Sequence, residues 1–369
     1  MALPRISIVG AGIAGLVLGR CLLQRGLRAV LFEKSRPSSN RNSYGITLHA
    51  DSYRPLLKLL DLEEKSFRNR VLVDTAAEDG HTAGVGTTIR VNRNRFETLL
   101  AEGLDIRWEH ELKEFDTASG IGLNFTNGSS HEAEVLVGAE GPHSLIRQTI
   151  SPETDFKILP FAVYNGKRRL SPEDFDMKIK PHLGNATILE QKVNDIVLQI
   201  SISDIGKDEV SISYTYSRPG RDSGDALYRP SRPKSEAKET PDALFQEIEG
   251  IGHELQDPFQ FVFDPETMKK DRMLNWLMRT LRVERDVLDQ TSQSGVLLLG
   301  DAVHAEPILG GYGANEAIED GLRLAEMLVE GGGQNLDKFY EHRFEIWEKG
   351  AVESERRIAC MHDVAKANL

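Results

Sequence analysis

A mixed α/β fold, with a Rossmann-like parallel-sheet domain, an inserted mostly antiparallel sheet and C-terminal helices, is what three stretches of this sequence predict. The first, Ile6 to Glu33, has the grammar strand, glycine turn, helix, strand, acid. The second, from about Phe156 to Tyr216, alternates apolar and polar residues with period two, the pattern of antiparallel strands with one wet face. The third, Ser294 to Gly332, repeats the first grammar with a buried strand, a glycine-rich turn and a helix.

In the first stretch Ile6, Ile8 and Val9 make a short buried strand, and Gly10, Gly12 and Gly15 fall on G-x-G-x-x-G. Absent side chains there allow a tight turn and close approach of a pyrophosphate. The phosphates would sit on a helix N-terminus, where free N–H groups and the positive end of the macrodipole favour a dianion. The helix runs through Leu16, Leu18, Cys21 and Leu22 to Gly26, and Ala29 to Phe32 form the next strand. Glu33 closes it, about twenty residues past the glycines, where a carboxylate accepts ribose hydroxyls. A bound dinucleotide is expected. A signal peptide or membrane span is disfavoured, because Ile6 to Leu23 carries four glycines, Ser7 and Arg20 and has no small-residue cleavage site.

The 369 residues suffice for two domains, or for one with a large insertion. Acids outnumber bases, 57 to 45, and the formal charge of -12 argues against nucleic acid or an anionic membrane as partner. Cys21 and Cys360 are too few for a disulfide framework and have no metal spacing, so a reducing, cytoplasmic setting without a metal is expected. No later stretch has the apolar length of a membrane span. Small molecules are the expected partners, and the oligomeric state stays open.

After Glu33 the sequence predicts a polar loop containing Arg36 and Arg41, a strand at Gly45 to His49, and a helix from about Tyr53. Asp51 or Ser52 would cap that helix, with Pro55 in its first turn. Val71 to Val91 reads as strand, loop, strand, and the helix that follows has Asn94 and Glu97 spaced as a capping box. Two antiparallel strands are expected within Trp108 to Phe125. Val135 to Ala139 is a fully apolar strand running into the turn EGPHS. Arg218 to Asp242 is dense in Pro, Gly and charge and is a loop, either a solvated connection or a lid. Helices are expected around Ala243 to Glu249 and Lys269 to Leu281. From Asn335 the chain reads as helix, with Phe339, Phe344, Ile346 and Trp347 on its buried face.

With these stretches in view, the chain resembles the FAD-dependent aromatic hydroxylases, the single-component monooxygenases of the para-hydroxybenzoate hydroxylase type. The motifs that carry the resemblance are GAGIAG at Gly10 to Gly15, VGAEGPHSLIR at Val137 to Arg147 and LGDAVHAEPILGGYGANEAIED at Leu299 to Asp320. The segments YGITLHADSYRPLL and VNRNRFETLL also look like the family's G-I-x-L and R-x-x-L, closest to fungal members that act in secondary metabolism. The resemblance implies an FAD-binding domain over 1–70, 90–155 and 281–330, a substrate domain over 71–89 and 156–280, and a C-terminal helical segment over 331–369. It implies that Glu33 holds the adenosine ribose, that Arg41, Gly45 and Arg93 lie along the pyrophosphate and flavin, and that Asp301 holds the ribityl or pyrophosphate region. Gly311, Gly313, Ala314 and Asn315 would lie against the isoalloxazine, where helix N–H groups suit the anionic N1 and O2 of reduced flavin. One departure stands out: Glu140-Gly141 replaces the family's Asp-Gly, in a segment used for both FAD and the nicotinamide donor.

The activity so implied is reduction of FAD by NADPH or NADH, reaction with O2 to a flavin C4a-hydroperoxide, and transfer of one oxygen atom to an aromatic or polycyclic natural product. Tyr164, Tyr214, Pro307 and Gly310 are expected at the substrate pocket. His49, Tyr164, Tyr214 and His304 are the candidates to polarise or deprotonate a substrate hydroxyl. His49 is favoured because it closes the G-I-x-L strand. A flavin oxidase or dehydrogenase on the same fold is the alternative, and a non-catalytic flavin-binding module is a second. A flavin halogenase is disfavoured, since Trp108, Trp276 and Trp347 are isolated and form no W-x-W-x-I-P.

Overall fold

The computed structural model of the chain describes residues 4–37, 43–74, 88–118, 120–222, 224–331 and 336–363. The chain opens with β1 (Ile6–Val9), α1 (Ile13–Gln24) and β2 (Ala29–Glu33). β3 (Gly45–His49), α2 (Ala50–Leu60), α3 (Glu64–Val71), β4 (Thr88–Asn92), α4 (Arg93–Ala101) and β5 (Asp105–Trp108) follow. A meander of β6 (Leu112–Asp116), β7 (Ile121–Phe125) and β8 (Ser130–Ala133) leads to β9 (Val135–Gly138) and α5 (Leu145–Ile150). Next come β10 (Lys157–Leu170), α6 (Pro172–Lys178), α7 (Lys180–Leu183), β11 (Ile188–Val193), β12 (Ile196–Ile205) and β13 (Val210–Pro219). Three short helices, α8 (Asp242–Ile251), α9 (Phe259–Val262) and α10 (Pro265–Met268), precede β14 (Arg272–Arg282). The chain ends with α11 (Arg285–Gln293), β15 (Val296–Leu298), β16 (His304–Ala305), α12 (Gly313–Gly331) and α13 (Asp337–Met361).

Two sheets organise these elements. The first is parallel, in the order β15-β9-β1-β2-β5. Its three strands β15, β9 and β1 are buried throughout, as expected of a parallel sheet covered on both faces. The second has the order β11-β12-β13-β10-β14-β16 and is antiparallel. Each sheet has its own core. Tyr164, Tyr214 and Ile212 belong to the second, while a small third cluster joins Leu159, Phe161, Val163 and Met278 to Ile358 of α13. The fold is the expected α/β class, with a Rossmann-like sheet and an inserted antiparallel one.

Several local expectations are corrected. Lys269 to Leu281 is not a helix; Arg272 to Arg282 is β14, pairing with β10 so that Tyr164 faces Asn275. Its Leu, Met and Arg residues are good helix formers, but the open edge of β10 offers a full ladder, and tertiary pairing overrides propensity. The inserted sheet does not keep one wet face. The outer strand β11 alternates, but β10 and β13 are largely buried on both faces, and their inward polar groups are satisfied, as where Asn165 donates to Tyr214 O and Thr215 Oγ1. The helix after β3 begins at Ala50 with His49 as N-cap, and α4 is capped by Asn92, whose side chain accepts from Arg95 N, rather than by Asn94. Val71 ends α3 instead of starting a strand, and the loop expected before Thr88 lies outside the described residues. Ile346 is exposed, whereas Phe339 and Trp347 are buried.

The Arg218 to Asp242 connection is anchored. Buried Arg218 makes a two-pronged pair with Asp225, at 2.7 and 2.8 Å, and a further pair with Glu247 at 2.9 Å. Arg232 donates to Asn275 of β14 further along. Among the described residues no helix is long and apolar enough to cross a membrane. Removing one partner of a buried ion pair leaves an uncompensated charge, so Arg218→Ala is expected to destabilise the fold by about 3–5 kcal/mol in urea unfolding followed by circular dichroism.

Candidate functional site

The glycine turn between β1 and α1 is built for close approach. Gly10 has φ +107°, and a Cβ there would stand 2.3 Å from the carbonyl oxygen of Ala139, so only glycine lets the ends of β1 and β9 touch. At Gly15 a Cβ would meet Gly10 O at 2.1 Å, so its absence lets α1 close on the turn. Gly12, the N-cap of α1, faces open space, with nothing within 4 Å of where its Cβ would be. Glu33 ties the turn to β2. Its buried carboxylate accepts from Ala11 N at 3.0 Å and Ser35 N at 2.9 Å.

A cavity of about 440 Å³ opens on this turn, within the size range of small-molecule and cofactor sites. Gly10, Gly12, Glu33, Arg93 and Asp301 line it, which brings five of the sequence-predicted cofactor residues to one space. Leu277 and Arg279 of β14 form part of the same wall, so the antiparallel sheet reaches the cavity too. Arg93 is fixed by Glu97 at 2.8 Å and by the Tyr44 hydroxyl, and its guanidinium lies 5.5 Å from the Tyr44 ring centroid. Among the described residues no group of His, Cys, Asp and Glu could hold a metal.

On the far side of the turn, Glu140 points its carboxylate into its own loop. It accepts from Leu145 N at 2.9 Å and from Ser144 Oγ, capping α5, and burial pushes its carboxyl above the usual range. His143 meets Arg279 at 3.3 Å. Burial, then the charges of Arg279, Lys234, Lys34 and Arg147, push the His143 imidazole down to about 4, so the ring is neutral at physiological pH.

The late stretch is held by one residue. Asp320, fully buried on α12, accepts from Gly300 N at 3.0 Å and His304 Nε2 at 2.7 Å with one oxygen. Its other oxygen accepts from Arg343 Nε at 2.8 Å and Trp347 Nε1 at 3.0 Å, both on α13. Burial opposes its charge, but His304 and Arg343 outweigh that and hold the carboxyl at about 2. Burial likewise opposes the His304 charge, and Asp320 more than offsets it, raising the imidazole. The turn so fixed presents Asp301 toward the start of α12, where a Gly313 Cβ would be 3.7 Å from its Oδ1. Burial raises the Asp301 carboxyl. Gly311 is left-handed, with φ +82°, which allows the turn into α12.

Asn315 joins this turn to β3: its side chain accepts from His49 N at 2.8 Å and donates to Thr47 O at 3.1 Å. Ala314, next to it, is in the first turn of α12. His49 stands edge-on to Tyr312, 5.7 Å between centroids, and does not line the cavity; burial and then Arg357 lower its imidazole. Gly45 also lies off the cavity, packed so closely on β12 that a Cβ would meet Ile202 O at 2.4 Å. Tyr164 and Tyr214 sit in the second core, their hydroxyls donating to Leu227 O at 3.1 Å and Asp271 Oδ2 at 2.7 Å. Pro307 starts the short turn before Gly311, and Gly310 packs on Ser354 of α13. Arg41 lies outside the described residues. Sequence reasoning missed Tyr44, Arg279 and Glu306 as cavity residues and Asp320 as the node; Tyr44, Glu306 and Asp320 fall inside the family-like stretches without being singled out there, Arg279 lies in none, and only the fold brings them together.

This geometry agrees with what the chain is similar to. The FAD binding domain family matches residues 5–166 and 262–349. The chain belongs to that family. It is 32% identical over 97% of its length to an FAD-dependent monooxygenase, adaC, of Aspergillus niger, covering 94% of that protein. It is 30% identical over 98% of its length to another, aptC, of Emericella nidulans, covering 96% of it. Among solved structures, 2,6-dihydroxypyridine-3-hydroxylase of Arthrobacter nicotinovorans superposes with TM-score 0.71 at 17% identity, covering 99% of this chain and 94% of that one. CtdE, in complex with FAD and a substrate, gives 0.72 at 17% identity over 97% and 90%. The protein is an FAD-dependent oxidoreductase. The residues present fit that cofactor: an open glycine turn at a helix N-terminus, Glu33 beside it and Asp301 across the same cavity.

Two outcomes are expected. Asp320 contributes stability that is complete above the unfolded carboxylate value of about 3.9 and is lost as pH falls through that value toward its folded one. His304 contributes stability that is complete below about 6.5 and is lost as pH rises through its raised folded value. Thermal unfolding should therefore show a plateau between about pH 4 and 6.5 that Asp320→Asn flattens, with a loss of about 3–5 kcal/mol within it. Gly10→Ala should lower bound flavin per chain severely, measured by absorbance after desalting, since its Cβ has no room against Ala139.

Proposed function

We propose that this protein is a monooxygenase that uses NADPH or NADH and O2 to place one oxygen atom on a small aromatic or polycyclic substrate in secondary metabolism. The observation that carries this is the shared cavity: the glycine turn, Glu33 and Asp301 converge on a space whose remaining wall includes β14 of the antiparallel sheet. Cofactor and substrate halves thus meet at one opening. The fungal relatives, named as FAD-dependent monooxygenases, support the reaction class.

When bound, FAD supplies the electron transfer and the activation of O2. In this proposal Glu33 accepts the adenosine ribose hydroxyls and the N–H groups at the start of α1 receive the pyrophosphate. Arg93 and Arg41 add positive charge along it, and Asp301 holds the ribityl region. Gly311, Gly313, Ala314 and Asn315 bring the N-terminus of α12 to the isoalloxazine, where its free N–H groups stabilise negative charge. The turn at Glu140 to Arg147 is the proposed docking place of the nicotinamide donor, supported by the cations Lys34, Arg147, Lys234 and Arg279 gathered around neutral His143. His49 is the proposed proton acceptor: it borders the Gly311 to Asn315 segment, and its lowered pKa keeps it neutral. Tyr164 and Tyr214 do not line the cavity, and with their hydroxyls engaged in the second core they take no part in this proposal.

The test is incubation of the yellow holoprotein with NADPH, ¹⁸O2 and a panel of aromatic metabolites, read by mass spectrometry. One labelled oxygen atom in the product is expected. Stoichiometric H2O2 without an oxygenated product would make the protein an oxidase instead. Asp301→Ala should lose FAD; full flavin content in that variant would overturn the role given to Asp301.

A further inference from the structure

Glu306 stands immediately before the Pro307 to Gly311 turn and has no part in the function proposed above. It borders the cavity together with Asp301, Ala305 and Ile308. One carboxyl oxygen accepts from Ser354 Oγ of α13 at 2.9 Å, while the other, Oε1, is buried without a hydrogen-bond partner. Gly350, one turn earlier on α13, makes room for it: a Cβ there would stand 2.9 Å from Oε1. Among the described residues no ion pair reaches Glu306.

None of the charged groups on the surrounding elements forms an ion pair with Glu306. Asp301 and His304 lie on its own segment, Glu316 and Asp320 on α12, Arg343 and Arg357 on α13, Arg279 on β14 and Arg93 across the cavity. Arg343 serves Asp320 and Glu316, and His304 serves Asp320. Arg357 donates to Gly310 O, Arg279 meets His143, and Arg93 is taken by Glu97 and Tyr44. Two anions balance two cations in the buried node, and Glu306 is left without a counter-charge. A carboxylate there would be buried, unpaired and half unsatisfied, the costliest arrangement for that group. A neutral acid instead has an O–H to give, and burial, with Glu316 and Asp301 nearby, pushes the carboxyl up against the pull of Ser354 and His304.

We propose that Glu306 is held as a neutral carboxylic acid in the cavity wall and that its O–H donates a hydrogen bond to a carbonyl or phenolic oxygen of the aromatic substrate. The soft terminal torsion of a glutamate lets the O–H turn into the cavity when an acceptor arrives. No bond is broken in this role: the proton stays on Glu306. The donor selects substrates that carry an oxygen at that point, since a ligand without one leaves a buried polar group unpaired. The inference rests on the monooxygenase assignment of the cavity.

Infrared difference spectra of the holoprotein at neutral pH, wild type minus Glu306→Gln, test the protonation. A carboxylic-acid C=O band is expected; a carboxylate band alone would overturn the proposal. Flavin absorbance titrated with 1-hydroxy-2-acetonaphthone, which offers both oxygens, tests the donation. Glu306→Gln, which keeps an N–H donor, should bind the probe as the wild type does, and Glu306→Leu roughly tenfold more weakly. Wild-type affinity should fall at the alkaline pH where the acid band disappears, and the Gln variant should show no such fall. Equal binding by the Leu variant, or no binding by the wild type, would overturn the assignment. Flavin per chain is measured first: a wild type without FAD would defeat the cavity assignment itself, whereas loaded proteins that fail the titration defeat only the role of Glu306.

Discussion

The glycine-rich turn that leads into α12 depends on one buried carboxylate. Asp320 takes four donors from two other parts of the chain, and its complete burial shields those bonds from bulk solvent. Two of its partners, Gly300 and His304, bracket Asp301, the residue that must point into the cavity. The other two, Arg343 and Trp347, belong to α13. Trp347 also stacks on His304 at 4.5 Å, so the same ring that donates to Asp320 closes the node from above. A turn of glycines and small residues has little stiffness of its own. Here it borrows rigidity from an ion-paired core, and the cost of burying that charge is met by four directed hydrogen bonds.

It follows that α13 is part of the site. Its first half packs Phe339, Tyr340 and Trp347 on the parallel-sheet domain, and Arg343 joins the Asp320 node. Its second half places Ile358 against β10 and β14, and His362, just past its end, lies 2.9 Å from Ser217 of β13. In between, Gly350, Ser354 and Arg357 touch Glu306, Gly310 and Gly311. One helix thus sets the parallel sheet, the Pro307 to Gly311 turn and the antiparallel sheet relative to each other. That is a physical reason for a cavity whose walls come from both halves to keep its shape.

The sequence is most legible where backbone geometry restricts the residue type. Gly10, Gly12 and Gly15 each answer a measurable lack of space or an open face, and Glu33 follows from the strand that ends beside them. The parallel strands read clearly because burial on both faces leaves unbroken apolar runs. The inserted sheet is legible as strands but not as a layer covered on both sides, because small polar residues such as Asn165, Thr215 and Ser217 keep the alternation of a wet face while being satisfied internally. β14 reads as a helix for a related reason: its partner, β10, lies more than a hundred residues earlier, and pairing at that distance leaves no local mark. Tyr164 and Tyr214 illustrate the same limit. Their residue type suits a pocket, but only the fold shows their hydroxyls committed to Leu227 and Asp271.

The replacement of the family's Asp-Gly by Glu140-Gly141 finds its explanation in reach. Gly141 is left-handed, with φ +79°, so the chain turns sharply directly after the acid. The carboxylate of Glu140 folds across that turn to Leu145 N and Ser144 Oγ, five and four residues on. The added methylene is what spans this distance, and the acid serves as a cap for α5 in a place where Ser144 already caps Arg147 N at 3.1 Å. Two acceptors then serve the first turn of a six-residue helix that could not persist alone. Holding α5 in turn holds Arg147, which donates to Pro142 O at 2.8 Å and lies over Phe156. His143, between these anchors, keeps its place against Arg279 of β14. The substitution therefore stiffens the turn that joins the two sheets at the mouth of the cavity, which Glu140 itself lines.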